Sequence, residues 1–184
     1  LIDYKGAMSA SVFKDLPHIS YIMSNLNDQS IRRVSLSLDA ELKRRQLLFQ
    51  ECAIKHQLSM VDMDKYWELV ETGICQPLPH LFVIADEFAE LKSSHAEFLG
   101  LLKKISRIGR SLGIHLILAT QKPSGIIDDE ILSNSRFRIC LKVAYTQDSN
   151  DVLKHEDAAF LKEAGSFLLQ VGNDEMYIQG RSSY

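Results

Sequence analysis

Leu81-Phe82-Val83-Ile84-Ala85-Asp86-Glu87 is the stretch from which the fold can be read. Five uninterrupted apolar residues are followed at once by two carboxylates. The run is too short for a buried helix and has no polar alternation, so it reads as a strand of a parallel sheet buried on both faces. In open α/β sheets, ligands bind beyond the carboxyl ends of the strands. Asp86 and Glu87 therefore leave the sheet where a ligand would sit.

The pattern repeats outward from this strand. Residues 95–112 carry Phe98, Leu101, Leu102 and Ile105 at helical spacing, and Gly113 stops that helix. Ile114 to Ala119 reads as a second buried strand and Phe137 to Val143 as a third. Upstream, Asn27 or Asp28 caps a long helix with Ile31, Val34, Leu38, Leu42 and Phe49 on one face. Arg32, Arg33, Lys43, Arg44 and Arg45 crowd its other positions. A looser helix over 64–71 holds Tyr66 and Trp67, read as packing or interface groups, and ends before Gly73, Pro77 and Pro79.

The first residues, 1–4, read as a strand, 7–16 as a small helix or turn, and 19–24 as another short strand. Helices near 147–153 and 158–161 lead to strands at 166–171 and 175–179, joined by a hairpin turn at 172–174. Alternating strands and helices predict one α/β domain over 1–184, with a mostly parallel sheet flanked by helices.

Composition removes other classes. With 184 residues, 46% of them hydrophobic, the chain can bury a core. A net charge of −3 gives no overall field toward nucleic acid or a membrane surface. Cys52, Cys75 and Cys140 are far apart with no Cys-x-x-Cys pair, so neither a zinc site nor a disulfide framework is expected. The six histidines show no metal-ligand spacing, and His115, inside an apolar strand, is expected as a hydrogen-bonded core residue. Ser111 and Ser124 have no His/Asp partners for a nucleophilic triad. No apolar run is long enough for a membrane helix.

An apolar strand ending in Asp-Glu is the Walker B pattern. Asp86 is suited to hold Mg²⁺, and Glu87 to orient the water that attacks the γ-phosphate of ATP. A solvated strand end or helix cap would also use such residues. Ala119-Thr120-Gln121 closes the neighbouring strand. Gln121 there can reach a γ-phosphate or the attacking water, although a loop glutamine alone says little.

Taken together, Leu81 to Leu91, Arg107-Ile108-Gly109-Arg110-Ser111-Leu112-Gly113-Ile114-His115-Leu116 and Ala119-Thr120-Gln121-Lys122-Pro123-Ser124 resemble the FtsK/SpoIIIE ATPases. Ile2-Asp3-Tyr4-Lys5-Gly6 is similar to the strand after the Walker A helix of that family. Asn134 to Val143, Asp148-Ser149-Asn150 and Gly165 to Gly172 resemble the first ATPase module of the type VII (ESX) secretion motors. The resemblance implies a RecA-like P-loop NTPase fold that uses ATP and Mg²⁺. It implies a cytoplasmic part of a membrane-anchored bacterial protein, with tandem ATPase modules, hexameric rings of like subunits and export of WXG100-type proteins. Nucleic acid is not an expected partner. It also implies an arginine acting in trans on a neighbour's site; Arg33 is the first candidate, with Arg107 and Arg110 as rivals.

The sequence departs from the family in two places. None of its nine glycines is followed by Lys, so it carries no Gly-x-x-x-x-Gly-Lys-Ser/Thr phosphate loop. That loop and its strand are expected upstream of Leu1, and the chain alone is expected to bind ATP weakly and to need strand pairing or dimerisation. Ala7 stands where the secretion motors often have glycine. An FtsK-type DNA translocase and a non-hydrolysing structural or regulatory module remain as alternative readings.

Overall fold

The strand over Leu81–Asp86 (β2) forms as expected and organises the first half of the chain. The computed structural model describes residues 1–3, 10–24, 27–89, 95–123 and 128–183. Tyr4 to Gly6, Ala7, Glu90, Leu91 and Ser124 lie outside these residues. The described chain falls into two compact units, Leu1–Ala119 and Thr120–Tyr184.

In the first unit, β2 pairs in parallel with β1 (Ile2–Asp3) on one side and β3 (Ile114–Leu118) on the other. Of the strand expected over 19–24, one parallel bridge from Met23 to Ile2 forms. Residues 10–16 form tight turns, with Phe13 donating to Ala10 O at 3.1 Å and Leu16 to Phe13 O at 3.1 Å.

Helix α1 (Asp28–Lys55) begins at Asn27, whose side chain accepts from Ser30 N at 2.8 Å. Ile31, Leu42, Phe49 and Cys52 are buried along its inner face. Helix α2 (Met63–Glu71) is capped by Asp62, and its Tyr66 ring stacks on Phe49 with centroids 5.0 Å apart. The helix expected over 95–112 divides into α3 (Ala96–Ile108) and a 3₁₀ turn at Arg110–Leu112. Phe98, Leu101, Leu102 and Ile105 of α3 are buried as expected.

The division occurs at Gly109. A Cβ there would lie 2.5 Å from the carbonyl oxygens of both Ile105 and Ile114. The absence of a side chain lets the chain turn directly from α3 into β3. Gly113 follows with φ of 68°, a left-handed conformation that glycine adopts without strain.

Two expectations change in this unit. Arg45 is not on the solvent face of α1 but buried, at 3% exposure. Position 45 falls three residues after Leu42 and four before Phe49, so it belongs to the inner stripe. Its guanidinium donates to Leu112 O at 2.9 Å, to Pro79 O at 2.8 Å and to the Glu41 carboxylate at 2.7 Å. These charge-assisted bonds satisfy the buried cation. The second change is that the sheet is buried on one face only. Val83 and Ala85 are buried, whereas Phe82 and Ile117 are exposed. His115 is half-buried on that more open side, hydrogen-bonded to His80 at 2.9 Å, rather than in the core.

The second unit holds an antiparallel sheet, β4 (Phe137–Leu141), β5 (Ser166–Val171) and β6 (Met176–Arg181) in sequence order. β4 is thus not a third buried parallel strand: it pairs antiparallel with β5. Helix α4 (Asp129–Asn134) precedes it, and α5 (Thr146–Leu153) and a 3₁₀ turn (Asp157–Phe160) separate β4 from β5. Cys140, Leu153, Ala158, Leu161 and Leu168 form its core, with Val143, Val152 and Tyr177 against them. Ser149, fully buried, accepts from Ala158 N at 3.1 Å and donates to His155 O at 2.6 Å, tying α5 to the 3₁₀ turn.

Candidate functional site

The carboxyl end of β2 gathers three acidic residues. Asp86 is the last residue of the strand and stands in register with Asp3, the last residue of β1. Glu87 follows. Asp3 and Glu87 are buried and Asp86 is partly so. Buried carboxylates are expensive without partners or cations, and both Asp3 and Glu87 have interaction partners in the fold. From sequence, Asp3 reads only as part of a strand. Its site position could have been inferred from the parallel pairing, which brings the last residues of neighbouring strands level.

A specific backbone arrangement presents Asp86 and Glu87. Ala119, just past β3, donates to Ala85 O at 2.9 Å and accepts from Phe88 N at 3.0 Å. One residue of the neighbouring segment thus holds the chain on both sides of the carboxylate pair. Between those anchors Glu87 takes a φ of 54°. Positive φ is uncommon for a residue with a Cβ, and it persists where the surroundings enforce it. The buried Phe88 and Ala89 supply part of that enforcement.

Thr120 and Gln121 follow Ala119 directly, and the Thr120 hydroxyl accepts from Lys122 N at 3.1 Å, shaping the turn that contains Gln121. Gln121 is exposed and belongs to the second unit.

The three arginines occupy two levels of the first unit. Arg107 closes α3 and Arg110 opens the 3₁₀ turn that leads into β3. Both precede the amino end of β3, whereas Asp86 lies at the carboxyl end of β2, about 17 Å along the strands. Within one chain they stand at the wrong end of the sheet for Asp86. Arg33 is exposed near the amino end of α1. That end lies by the start of α3, where Asp28 is 3.6 Å from His95, and Lys104 bonds Asp39 one turn and a half beyond Arg33 at 2.7 Å.

The donor set suits a hard divalent cation, since carboxylate oxygens are the ligands magnesium takes. The phosphate-cradling half of a nucleotide site, which needs a glycine-rich loop and a lysine, is absent from the 184 residues. Among the described residues, no helix is long and apolar enough to cross a membrane.

The profile of the FtsK/SpoIIIE family matches residues 1–125, ending close to the boundary of the first unit. The type VII secretion system protein EssC of Staphylococcus aureus is 51% identical over 178 residues, which are 96% of this chain and 12% of that protein. The ESX secretion system protein EccC of Geobacillus thermodenitrificans is 48% identical over 180 residues, again 96% of this chain and 12% of the relative. The chain therefore spans about an eighth of the curated relatives it matches. Among solved structures, the cytoplasmic domain of the Thermomonospora curvata type VII secretion ATPase EccC superposes with a TM-score of 0.84 at 30% identity, over all of this chain and 21% of that one. The conjugation coupling protein TcpA of pCW3, solved with ATPγS, shares the fold at a TM-score of 0.76 and 23% identity, over 98% of this chain and 50% of that one.

Proposed function

The chain belongs to the FtsK/SpoIIIE family, and on that premise we propose that it is the catalytic half of an ATP-hydrolysing module in a type VII secretion motor. The observation that carries this reading is the carboxylate pair Asp86-Glu87, held on both sides by Ala119 at the end of a parallel strand. The family membership supports the nucleotide, and the secretion relatives support the export role.

Magnesium and ATP, when bound, would supply a polarised γ-phosphate. Asp86 would hold the cation. Glu87, in its left-handed backbone conformation, would orient and polarise the attacking water. Gln121 would sense the terminal phosphate. Arg33 is the first candidate to complete a neighbour's site in a hexameric ring, and Arg107 and Arg110 can act only on another subunit. The cargo class is small WXG100-type proteins, and the module works as a cytoplasmic part of a membrane-anchored polypeptide alongside tandem ATPase modules.

The test is Glu87→Gln in the whole secretion protein. ATP turnover assigned to this module is expected to fall by about 100-fold or more, the scale of a lost catalytic base, while nucleotide affinity is kept. Undiminished turnover and secretion would instead make the module a scaffold.

A further inference from the structure

Away from the carboxylates, the carboxyl end of α1 brings together three side chains that no part of the proposed ATP chemistry uses. Cys52 lies in the last turn of α1, and His56 is the residue that caps it, four positions on and therefore on the same side of the helix. Cys75 arrives from the loop after α2. That loop is fixed by Ile74 N and Cys75 N, which donate to Leu69 O at 2.9 and 3.1 Å, and by the Tyr66 hydroxyl, which donates to Gln76 O at 3.0 Å.

The two sulfurs lie 3.3 Å apart, and one ring nitrogen of His56 and both sulfurs all fall within 4.8 Å of one another. Among the described residues this is the one group of three Cys, His, Asp or Glu side chains whose donor atoms lie this close together. The chain spacing hid it, because the third ligand is nineteen residues beyond the second and is delivered by packing rather than by a short motif.

We propose that Cys52, His56 and Cys75 form a binding site for a thiophilic divalent cation, with zinc the ion that fits best. Two thiolates and one imidazole are the soft and borderline donors zinc takes, and tetrahedral ligation at its usual bond lengths sets two sulfurs ~3.8 Å apart. The pair needs to open by about half an ångström to accept the ion, within reach of a small χ1 adjustment. His56 and Cys75 are half-buried, so the fourth position faces solvent or an incoming ligand. A simple thiol pair poised for a disulfide would give the converging imidazole no part. Burial, and the hydrogen bond to Cys75, push the Cys52 thiol up to about 11, while Lys55 beside it works in the opposite direction. At neutral pH the metal must therefore displace the proton of the Cys52 thiol, with Tyr66 another titratable group facing the pair.

The test is zinc and cobalt(II) titration of the fully reduced protein. One metal per chain is expected, with a thiolate-to-cobalt charge-transfer band and release of protons on binding. Cys75→Ser and His56→Gln, both at half-exposed positions, are each expected to weaken binding by about 100-fold or more, whereas His18→Gln leaves it unchanged. In the unaltered protein, zinc is expected to protect Cys75 from alkylation, a readout that requires no variant to fold. Absence of binding by the reduced protein overturns the site. So does binding that survives the Cys75→Ser/His56→Gln double variant, or air oxidation to a Cys52–Cys75 disulfide without any metal uptake.

Discussion

Among the described residues, the two sheets of this chain, each of three strands, both leave apolar residues exposed on one face, but to different extents. In the parallel sheet the better-buried face carries Val83 and Ala85, and the other keeps Phe82 and Ile117 exposed. In the antiparallel sheet the contrast is sharper. Its inner face includes polar groups: Ser166 and Gln170 are buried, and Gln170 bonds Arg138 at 3.3 Å and Asp174 at 2.6 Å. Its outer face carries Phe137, Ile139, Leu141, Met176 and Ile178, all about half exposed or more. A solvated antiparallel sheet ordinarily turns its polar residues outward. The difference teaches that strand apolarity records how many faces are meant to be covered, not which neighbour a strand pairs with. An apolar outer face of this extent is the kind that marks an interaction surface.

Four substitutions or conditions sharpen that contrast, beginning with the largest effect. Phe98→Ala removes a ring with no exposed surface from the first unit, and should cost about 3–5 kcal/mol. Trp67, the sole tryptophan, lies in that unit, so denaturation followed by its fluorescence reads the loss directly. Gly109→Ala forces a methyl group against two carbonyl oxygens and should cost about 2–3 kcal/mol in the same assay. A neutral result would mean that the junction between α3 and β3 yields easily.

On the outer face of the second sheet, Ile139→Thr with Leu141→Thr should change stability by less than about 1 kcal/mol, since threonine keeps strand propensity and little burial is lost. The same pair should lower binding of an apolar dye and raise solubility. A large stability loss would show that this face is covered in the isolated chain.

The smallest effect is acid-dependent. Lys104 and Lys43 hold the Asp39 carboxyl down at about 2, against 3.8 ordinarily. The pair stabilises the fold above the ordinary value, and that contribution disappears as pH falls from about 4 through 2. Asp39→Asn should flatten the acid limb of the stability curve in that window only, and high salt should mimic it.

Much of this was legible from residues alone. The run Leu81–Ala85 and the stripe of α3 declared themselves because local period and burial agree there. Asp86 and Glu87 could be placed at the sheet's carboxyl end before any coordinates. Three features were not legible for physical reasons. β4 is nearly as apolar as β2 but is interrupted by Arg138, and nothing in Phe137 to Leu141 states that its partner runs antiparallel. Arg45 belongs by type with the solvent-facing charges, although its spacing from Leu42 and Phe49 puts it inward. The left-handed Glu87 depends on Ala119, thirty-two residues away, and no local pattern reveals such an anchor.

Arg45 has a mechanical consequence. Helix α1 is about 42 Å long and is pinned near its middle to Pro79 and Leu112, immediately ahead of the two paired strands. Arg33 lies about 18 Å along the rod from that pin. A load applied to the exposed guanidinium of Arg33 is therefore shared between the Asp39–Lys104 bond to α3 and the Arg45 anchor, and through Arg45 part of it reaches the roots of β2 and β3. The helix is a strut that counts a buried cation among its anchors.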